Sequence, residues 1–320
     1  MTSYAVWRSR YQTVYGKFIP TDPSANPVKI AILDSGADLS HPDIEARIEN
    51  IKGKYNWLNE KRRHAIPDRD GHGTFVTGLV LDYAPDAELY VAKIADSAPA
   101  DPGVIAQAIR HAIDTWKVDI ISMSFGFPTC AIPSYSDLET ALMTAYSRGV
   151  LVFAAASNNG GKLGRAFPAR EPTVIAVHST DANGNCSDFN PTAVPEDINL
   201  ATVGEAVESA WPVHLCDEAE NPSCVAHKSG TSFSTPIMAG IAAFLLAYAR
   251  THLSREQAAA LRSHKRMRAV LRRVAEKGMG GGEYRPRDGY HFVDLSLYAD
   301  SLFGKSKDFI DLTIGDILNR

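Results

Sequence analysis

The feature that most constrains this chain is a repeated alternation of short apolar runs with segments of helical periodicity. The runs are rich in Val, Ile and Ala and end at turn residues, which is typical of strands buried on both faces. They occupy residues 28–34, 88–94, 118–126, 150–157 and 173–177. Apolar residues recur at helical spacing in 104–117 and 137–149. This order predicts right-handed crossovers and an α/β fold with a mostly parallel central sheet.

Length and composition allow one large domain. The chain has 320 residues, of which 45% are apolar, enough to bury a sizeable core. We expect an irregular lead-in over 1–27, one α/β domain over 28–299 and a tail over 300–320. The basic stretch 254–279 is predicted to be one long helix with a solvated face.

Charge and hydropathy indicate neither a nucleic acid nor a membrane as partner. The net charge is -4, which is small for a chain of this length. The first twenty residues have no continuous apolar core, so they do not resemble a signal peptide. The apolar stretch from Ile237 to Ala249 is too short to cross a bilayer and is predicted to be a buried helix. We therefore expect a cytoplasmic protein.

Four cysteines are present, and a reducing compartment predicts that they are thiols. They are Cys130, Cys186, Cys216 and Cys224. A bridge between Cys216 and Cys224, which are close in sequence, stays open at this point.

Three residues capable of acid–base or nucleophilic chemistry lie where predicted elements begin or end. Asp34 ends the first apolar run in AILDSGAD, and His72 begins a predicted helix in DGHGTFVTG. Ser232 lies in SGTSFSTPIMAG, just before the buried helix. Each has a structural alternative, namely a turn aspartate, a histidine bonded to backbone and a serine that caps a helix.

The chemistry of acyl transfer connects these residues. A serine nucleophile needs a base, an acid that orients the base, and donors that receive the oxyanion. Asn158, in VFAAASNNG, could supply such a donor; the alternative is a turn residue before Asn159 and Gly160. Asp, His and Ser follow one another in one of the three chain orders known for this triad.

Taken together, the motifs resemble those of the subtilases, the subtilisin-like serine proteases. The matching motifs are ILDSGAD, DGHGTFVTG, SMSFG, AAASNNG and GTSFSTP, spread from about Val28 to about Ala299. The resemblance implies a subtilisin-like three-layer α/β sandwich and a serine endopeptidase that works through an acyl-enzyme. The domain over 28–299 is accordingly expected to be the peptidase domain.

The resemblance also implies a role for each matching residue. Asp34 corresponds to the orienting acid, His72 to the general base and Ser232 to the nucleophile. Asn158 corresponds to the oxyanion donor, together with the backbone N–H of Ser232. The segment expected to pair with an extended substrate is Ser124, Phe125 and Gly126. The walls expected around the side chain before the cut bond are Ala154, Ala155, Ala156 and Ala166, which favour an apolar or aromatic side chain.

Several positions depart from the family pattern. Ser157 stands where relatives often have glycine, so we expect some crowding beside Asn158. The stretch from His72 to Pro85 is too short for the calcium-binding loop of many relatives. No cofactor is required for the chemistry. The usual high-affinity calcium loop is not expected at that place, while structural calcium elsewhere stays open. The 33 residues before Asp34 hold no recognisable signal or prodomain, a trait of intracellular subtilases.

The expected partners are polypeptide substrates. A regulatory protein that docks on 300–320 is compatible with this activity. The alternative function is a subtilase-like scaffold, latent or catalytically silent, that binds peptides or partners without turnover.

Overall fold

The structure of the protein is a computed structural model that describes residues 2–20, 26–96, 101–128, 135–161, 163–217, 219–277 and 286–320. Cys130 lies outside these residues. Cys186, Cys216 and Cys224 are thiols, so no disulfide joins Cys216 to Cys224.

Strands and helices alternate along most of the chain. The strands are β1 (Lys29–Asp34), β2 (Ile51–Asn56), β3 (Glu88–Lys93), β4 (Ile120–Met123), β5 (Leu151–Ala155), β6 (Ile175–Thr180), β7 (Asn199–Val203), β8 (Val207–Ala210), β9 (Val225–Lys228) and β10 (Tyr290–Phe292). The helices are α1 (Ser3–Phe18), α2 (Pro42–Glu45), α3 (His72–Tyr83), α4 (Pro102–His111), α5 (Tyr135–Ser147), α6 (Thr231–His252), α7 (Arg255–Ala260), α8 (His264–Ala275) and α9 (Lys307–Asn319).

The predicted parallel sheet is confirmed. Eight strands pair in the order β10-β7-β6-β5-β4-β1-β3-β2, and every pairing between them is parallel. All five apolar runs contribute strands to it, whereas β2, β7 and β10 were not predicted. The chain reverses its direction of sheet growth between β1 and β4, and open α/β sheets bind ligands at such a switch point, outside the carboxyl ends of the strands.

Helices cover both faces of the sheet. One core cluster joins the sheet to α1, α3 and α6, and a second joins it to α4 and α5. The predicted buried helix is confirmed as α6, which is longer than its apolar stretch and has 22 residues. Its length and composition would suffice to cross a membrane, but 89% of its most apolar window is buried inside the protein.

The prediction of an irregular lead-in over 1–27 is wrong for Ser3–Phe18, which forms α1. The average composition of α1 is polar, yet its buried side chains recur every three or four residues and share one face. They are Tyr4, Trp7, Tyr11, Val14 and Phe18. Tyr11 packs with its ring centroid 4.8 Å from that of Tyr83 in α3. Thr2 caps the helix by accepting a hydrogen bond from the N–H of Ala5.

The C-terminal region also differs from the prediction. The single helix predicted over 254–279 is two helices, α7 and α8, because residues 261–263 turn the chain. The tail over 300–320 contains α9, whose Ile310, Ile314 and Leu318 are buried in the same core cluster as α6. This segment therefore packs against the domain.

Replacing Trp7 tests the packing of α1. Trp7 is 1% exposed, so Trp7→Ala should lower the free energy of unfolding by about 3–5 kcal/mol, through lost burial and a residual cavity. Val6→Ala, on the exposed side of the same helix, should change it by less than about 0.5 kcal/mol. Urea denaturation measures both; equal effects of the two substitutions would contradict the packing of α1.

Candidate active site

Asp34 and His72 meet at the carboxyl edge of the sheet. Asp34 is the last residue of β1, and His72 is the first residue of α3, after Gly71 in a left-handed conformation. The imidazole Nδ1 lies 2.7 Å from the carboxylate Oδ1 of Asp34. Burial disfavours the charged imidazolium, but the carboxylates of Asp34, Asp70 and Asp68 together outweigh that effect, Asp34 most strongly, and raise the pKa of His72 above its ordinary value. Sequence reasoning predicted this pair, and the structure brings it together.

Ser232 is the second residue of α6, whose start packs on His72 through Phe233. Its side chain is half-buried, and the ring of the next residue, Phe233, packs 5.6 Å from the His72 ring. Phe233 also packs 4.7 Å from Phe75 of α3, which fixes the two helix starts relative to each other. Within the described part of the chain the Ser232 hydroxyl makes no hydrogen bond, so it remains available to a substrate. Catalytic hydrogen bonds often tighten only when a substrate is bound.

Asn158 is held through its amide oxygen at the start of α6. Its Oδ1 accepts hydrogen bonds from the backbone N–H of Thr231, at 2.8 Å, and from the Thr231 hydroxyl, at 3.0 Å. A backbone N–H can only donate, so Oδ1 must face it, and Nδ2 is left without a partner among the described residues. A Cβ at Gly230 would lie 3.2 Å from Nδ2, so the glycine allows this close approach. Asn158 thus presents a free N–H group next to Ser232.

Ser157, the departure noted in the sequence, adopts an unusual backbone conformation. Its φ is 146°, a value that residues with a side chain rarely adopt. Its hydroxyl accepts a hydrogen bond from the N–H of Asn159. The predicted crowding beside Asn158 therefore takes the form of a strained backbone.

The segment predicted to pair with substrate follows β4, at the switch point of the sheet. Ser124 is buried, Phe125 is half-buried and Gly126 is exposed. Among the described residues, neither Phe125 nor Gly126 makes a backbone hydrogen bond. Their N–H and C=O groups can therefore pair with an added strand.

The predicted pocket walls are largely adjacent to this segment. A Cβ at Gly126 would lie 2.7 Å from the Cβ of Ala166 and 3.8 Å from the carbonyl oxygen of Ala155. The N–H of Ala166 donates to the carbonyl of Ala156. The methyl group of Ala154, however, is buried in the core cluster under α4 and α5. Gly126, Ala155, Ala156 and Ala166 come together, and Ala154 supports them from below.

Sequence reasoning missed Asp68, a buried carboxylate directly behind the pair. Its side chain is completely buried and accepts hydrogen bonds from Thr74 to Oδ2 and from Gly71 and Ser35 to Oδ1. Burial alone would raise the pKa of Asp68, but these hydrogen bonds outweigh it and hold the pKa below the ordinary value. The backbone N–H of Ser35 donates to Asp34, and the Ser35 hydroxyl accepts a hydrogen bond from the N–H of Gly73. Asp68 therefore connects Ser35, the residue after Asp34, to Gly71 and Thr74, which lie before and after His72 in the chain. The sequence signal that could have identified Asp68 is its position four residues before His72.

Sequence reasoning also missed Trp211, at the end of β8. A Cβ at Gly71 would collide with its indole ring, and Gly71 has a φ of 95°. Only glycine satisfies both conditions without strain. The antiparallel pair β8 and β9 thus buttresses the residue before His72.

Metal ligands do not cluster in the described residues. No group of three or more His, Cys, Asp or Glu side chains there could hold a metal ion. Helix α3 runs without interruption from His72 to Tyr83.

Comparisons with known proteins match the sequence of this chain to one family. The profile of the subtilase family matches residues 25–290. Subtilisin-like protease het-Q2 of Podospora anserina is 32% identical over 279 residues, which cover 74% of this chain and 73% of that protein. The major intracellular serine protease of Bacillus subtilis (strain 168) is 31% identical over 246 residues, 72% of this chain and 71% of that protein. Subtilisin NAT of Bacillus subtilis subsp. natto is 32% identical over 232 residues, which cover 68% of this chain but 55% of that protein.

Asp68→Asn should destabilise the protein by about 2–3 kcal/mol at pH 7, because an amide cannot accept all of these hydrogen bonds. The lowered pKa of Asp68 means that its charged form stabilises the fold above the ordinary aspartate pKa of about 3.9. That contribution is lost as the pH falls through the lower pKa of the folded state. The difference in stability between wild type and variant should therefore narrow in acid.

Urea denaturation at pH 7 and at about pH 3 measures this difference. Asp70→Asn, the same substitution at an exposed neighbour, is the matched control and should leave stability nearly unchanged. A difference between wild type and Asp68→Asn that stays constant with pH would show that the Asp68 charge does not stabilise the fold.

Proposed function

This chain belongs to the subtilase family and is a subtilisin-like serine endopeptidase, and on that premise we propose that Asp34, His72 and Ser232 are its catalytic triad. The observation that carries the proposal is the 2.7 Å contact between Nδ1 of His72 and Oδ1 of Asp34. Phe233, the residue after Ser232, packs its ring 5.6 Å from that of His72. The contact between His72 and Asp34 places the Nδ1 proton between ring and carboxylate. The Nε2 lone pair of the neutral ring is then the free base.

The proposed reaction has two acyl-transfer steps. Nε2 of His72 removes the proton from Oγ of Ser232 as Oγ attacks the carbonyl carbon of the substrate. The imidazolium then gives that proton to the leaving amine as the peptide bond breaks, which leaves an acyl-enzyme. Water, deprotonated by the same nitrogen, releases the acid product and restores Ser232. Asp34 stays ionised and stabilises the imidazolium in both steps.

Asn158 is proposed to receive the negative charge that develops on the carbonyl oxygen. Its Nδ2 is free because Thr231 holds the other end of the amide. The N–H of Ser232, in the first turn of α6, has no partner within its own helix and can serve as the second donor. A fixed donor that needs no reorganisation contributes about 10²–10³-fold in rate, a range established in a subtilisin.

Substrates are polypeptides, which we propose bind in extended form along Phe125 and Gly126. The side chain before the cut bond would lie against Ala155, Ala156 and Ala166, which carry no charge and favour an apolar or aromatic group. No cofactor takes part in this chemistry.

We also propose a location and a domain organisation. Likeness to an intracellular serine protease supports a cytoplasmic location. The peptidase domain is proposed to span 28–299, and a regulatory partner that docks on 300–320 stays a prediction.

Covalent labelling tests the nucleophile. A fluorophosphonate probe should label the native chain, and Ser232→Ala should abolish the labelling because the probe reacts only with an activated serine. Ser234→Ala, two residues along the same helix, should still be labelled. Labelling that persists in Ser232→Ala would refute the assignment, and a folded native chain that is never labelled would favour the silent scaffold.

The pH dependence of hydrolysis tests His72 and Asp34 together. Since only neutral His72 accepts a proton, kcat/KM should rise with pH through a midpoint above about 6.5, the ordinary histidine pKa. Asp34→Asn should move that midpoint down and lower kcat by about 10⁴-fold. Asp308→Asn, on the exposed side of α9, is the control. A midpoint that does not move in Asp34→Asn would contradict the pairing.

A further inference from the structure

A basic groove runs along β2, the edge strand of the sheet, away from the residues of the proposed triad. Its volume is about 500 Å³. Its cationic side chains are Lys52 and Lys54 of β2 and Arg63 from the segment that follows. Among the described residues, none of these three forms an ion pair, and no Asp or Glu lines the groove. The groove therefore holds positive charge that the protein itself does not neutralise.

The walls of the groove are apolar and come from both faces of the sheet. On one face the rings of Tyr55, His111 and Trp116 pack together, with the Tyr55 and His111 centroids 5.4 Å apart and those of His111 and Trp116 4.7 Å apart. On the other face lie Ile48 and Ile51. A groove that encloses a strand edge from both faces has the shape that an additional strand would fill.

The backbone of β2 is open toward this groove. β2 pairs with β3 on one side only, and on the other side the N–H of Asn56 donates to the carbonyl of Arg63. Backbone groups of a strand alternate in direction, so Lys54, two residues before Asn56, also turns its N–H and C=O away from β3. These groups have no backbone partner in the described residues.

From this geometry we propose that the β2 groove binds an extended acidic segment of a polypeptide substrate as an added strand. Backbone pairing with Lys54 would supply affinity, and Lys52, Lys54 and Arg63 would select carboxylates. A second copy of the same edge is disfavoured because its lysines would be repelled. β2 lies two strands from β1, about 10 Å in the plane of the sheet, so one substrate chain can reach both groove and triad.

The binding experiment uses the full chain with Ser232→Ala, so that the probe is not cut. The probe is a fluorescein-labelled peptide of alternating Glu and Thr, about eight residues long, followed by anisotropy at low salt. The combined variant Lys52→Glu, Lys54→Glu and Arg63→Glu should bind it at least about tenfold more weakly. The matched control, Arg255→Glu, Lys265→Glu and Arg266→Glu, makes the same change in net charge on α7 and α8 and should bind within about twofold of the parent.

Two further probes test the occupant. A peptide with alternate amide nitrogens methylated should bind about tenfold more weakly, because it cannot donate to the carbonyl of Lys54. Equal binding of the methylated peptide would overturn the added strand. If the parent chain does not bind the acidic peptide, or if the control variant loses as much affinity as the groove variant, the proposed site is wrong. Tighter binding of a single-stranded oligonucleotide, lost in the groove variant, would overturn the polypeptide assignment.

The role of the β2 groove as a substrate site rests on the proposed proteolysis, whereas the binding of an acidic segment in the groove does not. With native Ser232, the groove variant should cleave a short neutral peptide as fast as wild type, which also shows that it is folded. Its kcat/KM for the same peptide joined to the acidic segment should fall about tenfold. Since binding is measured without cleavage, failure of the triad leaves the groove result standing, and failure of the groove leaves the triad standing.

Discussion

The site depends on the contact between His72 and Asp34, which joins the end of a buried strand to the first turn of a helix. β1 lies inside the sheet between β3 and β4, so Asp34 has little freedom to move. His72 is fixed by α3, which packs on α6, and α6 carries Ser232. The proposed acid, base and nucleophile therefore occupy three rigid elements whose relative positions are set by one core.

A buried carboxylate holds this arrangement together. Asp68 has lost its contact with water, a cost that is offset only if its oxygens are hydrogen-bonded. Five hydrogen bonds satisfy them, from Ser35, Asp70, Gly71 and twice from Thr74. The same hydrogen bonds fix the segment from Asp68 to Thr74, which contains His72. The order needed at the site is thus present before any substrate binds, which is the condition for efficient electrostatic catalysis.

The two places where we propose that a polypeptide strand is added have opposite characters. Beside Phe125 and Gly126 the walls are small and uncharged, which suits one apolar side chain held for chemistry. Beside β2 the walls are aromatic and cationic, which suits several acidic residues held for selection. A sheet whose centre is covered by helices leaves backbone groups free at its edges and strand ends, and both sites are built from such groups.

Local sequence pattern was enough to predict the parallel sheet and the motifs that hold Asp34, His72, Ser232 and Asn158, because buried strands and turns depend on residues close together in the chain. The sequence did not reveal α1, because its average composition is polar although Tyr4, Trp7 and Tyr11 form a buried face. It did not reveal the edge strand β2 either, because its lysines make the segment polar. Only the tertiary structure decided that Asp68 and Trp211 support His72 and that Lys54 borders a groove with Trp116. Those contacts join residues far apart in the chain or buried behind a loop, and no local pattern encodes such distances.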